Sequence, residues 1–312
     1  MEKNDSLALF RTRSTRAIIA DGFRLYTNNF RRLFRAAWPV AVVYALAMAF
    51  MSSYAISRVI PLIGASQILD PEVAQAQLFS TASTSALTML LFIVCATLLA
   101  SCGFSALREH ALTGEISRPK RWFGRIDLPV FGRLAVVVLC LVVLVAILGA
   151  ALSALFMLAA KTTLTTAMVG VGVVTLGCLL LLIPFCYTVY HAMLDEKKHL
   201  LPFSGYLTGI THLGTLFVTL LLTGIVTLLL TLIAQLPANI LYAANIQSQI
   251  GMLGGDEAGM PQGVSWLNFT VFTIAGFIQA FVHLLTLFPF YYAYGSIRQQ
   301  EKDRQTFTQK QG

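Results

Sequence analysis

The stretch Leu134–Leu158, LAVVVLCLVVLVAILGAALSALFML, decides the fold class of this chain. It contains no Asp, Glu, Lys or Arg. At about 1.5 Å of rise per residue, a helix of this length crosses the roughly 30 Å of hydrocarbon in a bilayer. A helix also satisfies its own backbone hydrogen bonds where no water is available. The stretch is therefore predicted to be a transmembrane α-helix.

Five more stretches on either side of it have the same apolar character. They are Ala37–Val59, Ala86–Leu107, Thr165–Met193, Thr215–Leu236 and Phe269–Tyr294. Hydrophobic residues make up 57% of the 312 residues, too many for a soluble bundle of this length to bury in one core. A transmembrane β-barrel is excluded because its strands alternate in polarity over about ten residues. The sequence predicts an all-α polytopic membrane bundle of six transmembrane helices.

The distribution of positive charge predicts the orientation. Of the 22 Lys and Arg residues, only Arg58 and Lys161 fall in segments on one side of the predicted spans. The positive-inside rule places the other side, with both termini, in the cytoplasm. Residues 1–36 are then a cytoplasmic segment, residues 37–297 the transmembrane domain, and residues 298–312 a cytoplasmic tail. Topology and anionic headgroups account for the net charge of +8, so no nucleic-acid partner is expected.

An apolar stripe at the helical period precedes the first span. It consists of Ile19, Phe23, Tyr26, Phe30 and Leu33, and four arginines occupy the remaining surface, namely Arg24, Arg31, Arg32 and Arg35. A helix of this kind lies in the headgroup plane with its arginines toward anionic lipid. The sequence predicts an N-terminal interfacial amphipathic helix over this segment, with the four arginines as candidate anionic-lipid contacts. The alternative is a topological anchor that leads into the first span.

A weak threefold pattern predicts three helical-hairpin repeats. Each unit opens with a polar or basic approach containing glycine and aromatic residues, at Gly22-Phe23, Phe131-Gly132 and Gly205-Tyr206. The second span of each unit ends in a small or helix-bending residue followed by phenylalanine, at Gly103-Phe104, Pro184-Phe185 and Pro289-Phe290. Chance similarity among apolar segments is the alternative. The outward segments are predicted to be loops, with room for a short surface helix at Pro237–Leu253.

Two groups of side chains are candidate sites. His283 is the only imidazole well inside a predicted span, and Gln279 lies one helical turn before it. The pair is a candidate intramembrane polar site, although a helix-to-helix hydrogen bond is the commoner role. Below Pro184 and Pro289, a second group forms a candidate cytoplasmic-side aromatic pocket: Tyr187, Tyr190, His191, Tyr291 and Tyr292. An aromatic belt at the headgroup level is the alternative for this group.

Motifs for catalysis, cofactors or metals are missing from the sequence. It has no P-loop, dinucleotide fingerprint, H-E-x-x-H or G-x-S-x-G pattern. The five cysteines all lie in apolar blocks and form no C-x-x-C pair. The sequence therefore predicts a protein that is not an enzyme, has no cofactor and binds no metal.

The segment from Ile18 to Pro39 carries a resemblance. Its pattern, Ile-x-x-x-Gly-Phe-x-Leu-Tyr-x-x-Asn-Phe-x-x-Leu-Phe, resembles the opening of bacterial six-helix inner-membrane proteins of the YciC type. It is also similar to the membrane domain attached to some glycerophosphodiester phosphodiesterases, whose soluble barrel this chain lacks. The resemblance implies a membrane protein of the bacterial inner membrane, tied to envelope or lipid physiology.

Two functions follow from these observations. The first is a non-enzymatic scaffold or lipid-associated factor, with membrane lipids and other membrane proteins as partners. The alternative is a transporter or permease-like subunit that uses the polar site around His283 and Gln279. The first depends on the arginine surface before the first span, whereas the second depends on the interior of the bundle.

Overall fold

The computed structural model describes residues 9–59, 71–116, 127–159, 164–194, 205–253 and 263–311. All regular structure in these ranges is helical, which confirms the all-α prediction. The elements are α1 (Thr15–Tyr54), one π-helical turn (Ala55–Val59), α2 (Pro71–Thr113), α3 (Leu128–Ala159), α4 (Leu164–Leu194), α5 (Tyr206–Thr211), α6 (Leu213–Leu253) and α7 (Val264–Gln311).

The helices are long and apolar enough for an integral membrane protein. Within the described ranges, five helical regions have the length and hydropathy of membrane spans: Thr15–Arg58, Phe79–Thr113, Leu128–Ala150, Leu213–Met252 and Val264–Lys310. In α4, the region Leu180–Leu194 is a shorter apolar helix. A multi-pass membrane protein is therefore supported, and the sixth crossing, through α4, stays a prediction.

Helices α1 and α7 form the most extensive helix pair of the fold. They run antiparallel, and glycines bring their backbones together. A Cβ atom added at Gly22 would lie 2.7 Å from Pro289 Cα, and one added at Gly276 would lie 3.1 Å from Ala45 Cα. Such close approach increases van der Waals contact between helices where lipid supplies no hydrophobic driving force.

The predicted interfacial helix is not a separate element. Helix α1 runs from Thr15 through Tyr54, with no end between residues 36 and 37. Tyr26 and Leu33 are 7% and 3% exposed, so the prediction that the apolar stripe rests on lipid is wrong for these two residues. The reason is tertiary: both side chains belong to the main core cluster of the protein, and the Tyr26 hydroxyl donates to the Phe281 carbonyl of α7 at 3.0 Å.

The segments predicted to be outward loops contain more helix than expected. Helix α6 continues through Pro237 to Leu253, so this segment extends a membrane-length helix and does not form a separate surface helix. Polar side chains hold the extension in place. Gln249 Nε2 donates to the Ile56 carbonyl at 2.8 Å, and Asn268 Nδ2 donates to Asn245 Oδ1 at 3.1 Å.

The two ends of the described chain meet at one end of the bundle. The backbone N–H of Arg13 donates to Ser296 Oγ at 3.0 Å. The Arg13 side chain forms an ion pair with Asp21 at 2.9 Å, and its guanidinium lies 4.6 Å from the centre of the Tyr292 ring. The N-terminal segment is thus fastened to α7, and the cytoplasmic location of this end stays a prediction from the charges.

Candidate functional site

A cavity of about 230 Å³ lies between α1, α2 and α7. Its lining includes Tyr44 from α1, Phe92, Ala96 and Ala100 from α2, and His283 and Leu287 from α7. The two alanines are one helical turn apart, and their small side chains leave the space that the cavity occupies. Tyr44 and His283 supply the polar atoms of a lining that is otherwise hydrocarbon.

One member of the polar pair predicted from the sequence, His283, lines this cavity. His283 Nε2 lies 3.3 Å from Gln279 Nε2, and Gln279 Nε2 also donates to Thr231 Oγ1 of α6 at 3.1 Å. The pair therefore links α6 to α7 by a hydrogen bond, which is the commoner role of polar side chains inside a membrane span. Gln279 is 5% exposed, whereas His283 is exposed and lines the cavity.

The imidazole of His283 faces the side-chain amide of Gln279 through Nε2. Which of the two groups donates depends on the tautomer of the imidazole and the orientation of the amide. The ring of Tyr44 lies edge-on to the imidazole, with 5.9 Å between the ring centroids. Chemically, the cavity presents an imidazole beside an aromatic wall.

Sequence reasoning did not single out Tyr44 or Phe92. Their rings are 5.2 Å apart, and they come from different helices. Tyr44 carries the one detectable signal, a phenolic hydroxyl inside an apolar span. Phe92 resembles every other apolar residue of its helix, so only the packing of α1 on α2 reveals it.

The predicted aromatic residues near Pro184 and Pro289 are packed into the protein core. Tyr187, Tyr190, Tyr291 and Tyr292 are at most 5% exposed, and His191 is half-buried. Tyr187 contacts His191 with a centroid separation of 6.1 Å, and Tyr291 contacts Tyr292 at 5.3 Å. With so little exposure, these tyrosines line packed core.

Two hydrogen bonds tie this aromatic core together. The Tyr190 hydroxyl donates to the Leu287 carbonyl at 2.6 Å and thereby joins α4 to α7. Tyr291 Oη lies 2.9 Å from His110 Nδ1 of α2. Sequence reasoning missed His110, although it lies on the helical face that Ala106 and Leu107 bury. That spacing of three to four residues is the signal that identifies it.

The four arginines on α1 divide into two groups. Arg24, Arg31 and Arg35 are exposed on one face of the helix, which we call the arginine face. Arg32 Nη1 donates at 2.7 Å to the carbonyl of Ile116, three residues beyond the end of α2. Arg32 therefore has a partner within the protein that the sequence alone did not suggest.

Exposed aromatic side chains lie beside the arginine face. Phe30, Phe34 and Trp38 are 41%, 38% and 40% exposed, and we call them the aromatic row. They recur every four residues along α1. The rings of Phe34 and Phe281 stack with 5.1 Å between their centroids, which fixes the row against α7.

No protein-family model, no curated protein and no solved structure matches this chain. Within the described residues, no three His, Cys, Asp or Glu side chains are grouped as metal ligands would be. The function is therefore inferred from the cavity, the polar pair and the surface of α1.

Proposed function

We propose that this protein is a non-enzymatic integral protein of the bacterial inner membrane that binds anionic headgroups of the cytoplasmic leaflet. In that role it is a lipid-associated factor or scaffold of the cell envelope, with membrane proteins as further partners. One observation carries the proposal: the exposed arginine face of α1 lies directly beside the exposed aromatic row.

The geometry of the arginine face suits a charged plane. Arg24, Arg31 and Arg35 are separated by seven and four residues, so they fall within about 40° of one another around the helix. Along the axis they span about 17 Å at 1.5 Å per residue, enough to meet more than one headgroup. Since α7 fixes the opposite side of α1, the three guanidinium groups cannot turn inward without breaking the helix pair.

The aromatic row indicates how deep this surface lies in the membrane. Aromatic side chains concentrate at the boundary between headgroups and hydrocarbon, and Trp38 begins the part of α1 in which Val43, Leu46 and Phe50 are exposed. These apolar side chains face lipid tails in a spanning helix. The arginines just before Trp38 are thus at the level of the phosphates.

The expected lipid preference follows from the number of charges. A basic side chain near an anionic membrane surface contributes about 1 kcal/mol. Three of them contribute about 3 kcal/mol, and at 1.4 kcal/mol per factor of ten this is roughly a 100-fold preference. Guanidinium also forms paired hydrogen bonds with phosphate, which favours headgroups over other anions.

The test is native mass spectrometry of the full chain taken from nanodiscs of equal phosphatidylglycerol and phosphatidylcholine. The variant carries Arg24→Gln, Arg31→Gln and Arg35→Gln. The matched control carries Arg11→Gln, Arg304→Gln and Lys310→Gln, three exposed positions near the chain ends. Both variants lose three positive charges, so a difference between them reports position and not net charge.

The proposal predicts that the two variants differ in lipid binding. The ratio of bound phosphatidylglycerol to phosphatidylcholine falls at least tenfold in the arginine-face variant and less than threefold in the control. An equal fall in both variants would mean that lipid selection follows overall charge, and the arginine face would lose its assigned role. Protein subunits that co-purify after gentle extraction would identify what the scaffold serves.

The six-span, threefold architecture is proposed on two equivalent contacts. Gly22 lies in the approach to the first unit and packs on Pro289 of α7. Gly209 lies in the approach to the third unit and packs on Pro184 of α4, and a Cβ added to it would lie 2.9 Å from the Pro184 carbonyl oxygen. In both cases the approach segment of one unit packs on the proline of the second helix of another unit. Three hairpins arranged in a ring account for both contacts.

Transport is the second candidate function, and the chain of contacts from His283 through Gln279 to Thr231 favours it. A polar chain between α6 and α7 would lower the barrier for a small neutral solute. Proteoliposomes placed in isosmotic glycerol test this candidate. Transport predicts swelling faster than in protein-free vesicles, with His283→Ala and Gln279→Ala restoring the slow rate; equal rates throughout would exclude glycerol passage through this site.

A further inference from the structure

We infer that a single file of water molecules crosses the membrane along the contact between α6 and α7, hydrogen-bonded to a row of polar side chains. The inference rests on the second candidate function, transport, and names its route and its smallest substrate. Three properties of α6 carry it: the length of the polar row, the direction in which the row faces, and the buried polar atoms along it that no described residue pairs.

Hydroxyl and amide side chains recur at every fourth residue along α6. They are Thr215, Thr219, Thr223, Thr227, Thr231 and Gln235, and beyond Pro237 the polar positions continue with Tyr242, Asn245 and Gln249. We call these residues the polar ladder. From Thr215 to Gln249 the ladder covers about 51 Å at 1.5 Å per residue. It is therefore longer than the roughly 30 Å of hydrocarbon and crosses it at any tilt usual for a spanning helix.

The polar ladder faces the protein, whereas the large apolar side chains of α6 face outward. Four members of the ladder are at most 8% exposed, namely Thr219, Thr223, Gln235 and Asn245. The apolar side chains that are more than half exposed include Leu228, Leu229, Ile233 and Ile240. Polar side chains inside a membrane turn toward the bundle interior or toward water-filled space. Helix α6 thus has the polarity of a helix that lines an aqueous path.

Helix α7 adds polar groups to the same contact at two levels. The Gln279 amide hydrogen-bonds to Thr231 Oγ1 at 3.1 Å. Nearer the other end of the ladder, Asn268 Nδ2 donates to Asn245 Oδ1 at 3.1 Å. The contact between α6 and α7 therefore carries polar side chains from both helices, and the ladder is not a row of isolated groups on one helix.

Four buried atoms along this contact lack a hydrogen-bond partner among the described residues. They are Thr223 Oγ1, Gln249 Oε1, Asn268 Oδ1 and Gln279 Oε1. Thr223, Gln279 and Asn268 are 2%, 5% and 6% exposed, so these side chains are not solvated from the protein surface. Ordered water is the usual partner of buried polar groups that the protein leaves unpaired. Since water both donates and accepts, it fits these groups whichever way the amides are turned.

The spacing of the polar ladder fits one water molecule between neighbouring members. Residues four positions apart are separated by about 6 Å along the helix axis. Two O–H···O hydrogen bonds of about 2.8 Å each span about 5.6 Å, so one bridging water joins each pair of neighbours. The ladder contains no Asp, Glu, Lys or Arg, so no charged group in it offsets the cost of desolvating an ion. This composition favours water over ions.

Stopped-flow light scattering of proteoliposomes tests the inference. The full chain is reconstituted in phosphatidylcholine vesicles, which are then mixed with sucrose, an osmolyte that does not cross the bilayer. Vesicles that contain the wild-type protein should shrink several-fold faster than protein-free vesicles of the same size. Subtracting the protein-free rate from the observed rate gives the protein-dependent water permeability.

Two substitutions remove hydrogen-bonding groups with little change in shape. Thr223→Val and Asn268→Leu should each lower the protein-dependent permeability about fivefold, which corresponds to the loss of one hydrogen bond of about 1 kcal/mol. The matched controls Thr270→Val and Asn239→Leu, at exposed positions of α7 and α6, should leave it unchanged. Thr223→Ser keeps the hydroxyl and should conduct water at the wild-type rate. Matching elution in size-exclusion chromatography confirms that each variant is folded.

Each outcome bears on the inference directly. Equal shrinkage of wild-type and protein-free vesicles would overturn it, and so would undiminished permeability in both Thr223→Val and Asn268→Leu. A loss in Thr223→Val that Thr223→Ser also shows would assign the effect to packing and overturn the role of the hydroxyl.

The glycerol experiment reports on the transport candidate separately. Glycerol passage in the wild-type protein, together with undiminished water permeability in Thr223→Val and Asn268→Leu, would keep transport and reject this route. Water passage that both substitutions lower, without glycerol passage, would support the route and limit its substrate to water.

Discussion

Replacing Gly22 with alanine tests the packing that holds α1 to α7. In the native structure Gly22 faces the backbone of α7, and an added Cβ would lie 2.7 Å from both Pro289 Cα and Pro289 N. Ordinary van der Waals contact begins at 3.4 Å, so the helices must separate locally by about 0.7 Å. No side-chain rotation can relieve the contact, because the atoms on the other side belong to backbone.

The magnitude is a balance of two terms. Overpacking a tight contact costs about 1–3 kcal/mol, and the better helix propensity of alanine returns at most about 1 kcal/mol. Since the clash is with rigid backbone, the upper part of that range applies, and a net loss of about 1–2 kcal/mol is expected. For a protein of this size the melting temperature should fall by about 2–6 °C.

Gly224→Ala is the matched control. Gly224 also lies inside a long helix, but an added Cβ meets nothing within 4 Å. Thermal unfolding of both variants in the same detergent, followed by loss of the monodisperse size-exclusion peak, measures the effect. Gly224→Ala should melt at or above the wild-type temperature. If Gly22→Ala matched it, the close approach of α1 to Pro289 would be refuted, and with it the fixed rotation of the arginine face.

Three further predictions concern the core and the orientation. Arg13→Gln removes the ion pair with Asp21 and the contact with Tyr292. Trypsin should therefore cleave this variant after Arg11 several-fold faster than the wild-type protein. It should cleave the control variant Arg16→Gln, changed at an exposed position, at the wild-type rate. Tyr190→Phe deletes the hydrogen bond to the Leu287 carbonyl and should cost about 1 kcal/mol in thermal stability; a melting temperature no lower than that of Tyr206→Phe, whose hydroxyl bond is exposed, would argue against that bond. Thr306→Cys, at an exposed position of α7, should react with a membrane-impermeant maleimide only in inverted vesicles, and Ser83→Cys, at an exposed position toward the other end of the bundle, only in intact spheroplasts; the reverse pattern would invert the predicted orientation.

The helical class of this protein could be predicted from sequence because hydrocarbon imposes one strong rule. A charge-free stretch such as Leu134–Leu158 has helix as its only single-segment solution in a bilayer. Helix ends are less predictable, because packing partners decide them. Helix α6 continues past Pro237 where Gln249 reaches Ile56 on another helix, and no local pattern encodes that contact.

The candidate sites were predictable only where their residues lie on one helix. The pair Gln279 and His283 was predictable, because a spacing of four residues places two side chains on one helical face. The rest of the cavity was not, since Tyr44 and Phe92 belong to other helices whose pairing the hydropathy pattern does not specify. Arg32 shows the limit within one helix: its position resembles that of Arg31, but only the structure reveals the Ile116 carbonyl that it binds.

One helix face connects the arginine face and the cavity. Tyr26 and Tyr44 are eighteen residues apart, which is five full turns at 3.6 residues per turn, so both point at α7. Tyr26 bonds to the Phe281 carbonyl and Tyr44 contacts the His283 ring, and this single orientation turns the arginine face outward. The glycine contacts at Gly22 and Gly276 hold that orientation at two levels. The arginine face and the cavity are therefore positioned by one rigid helix pair.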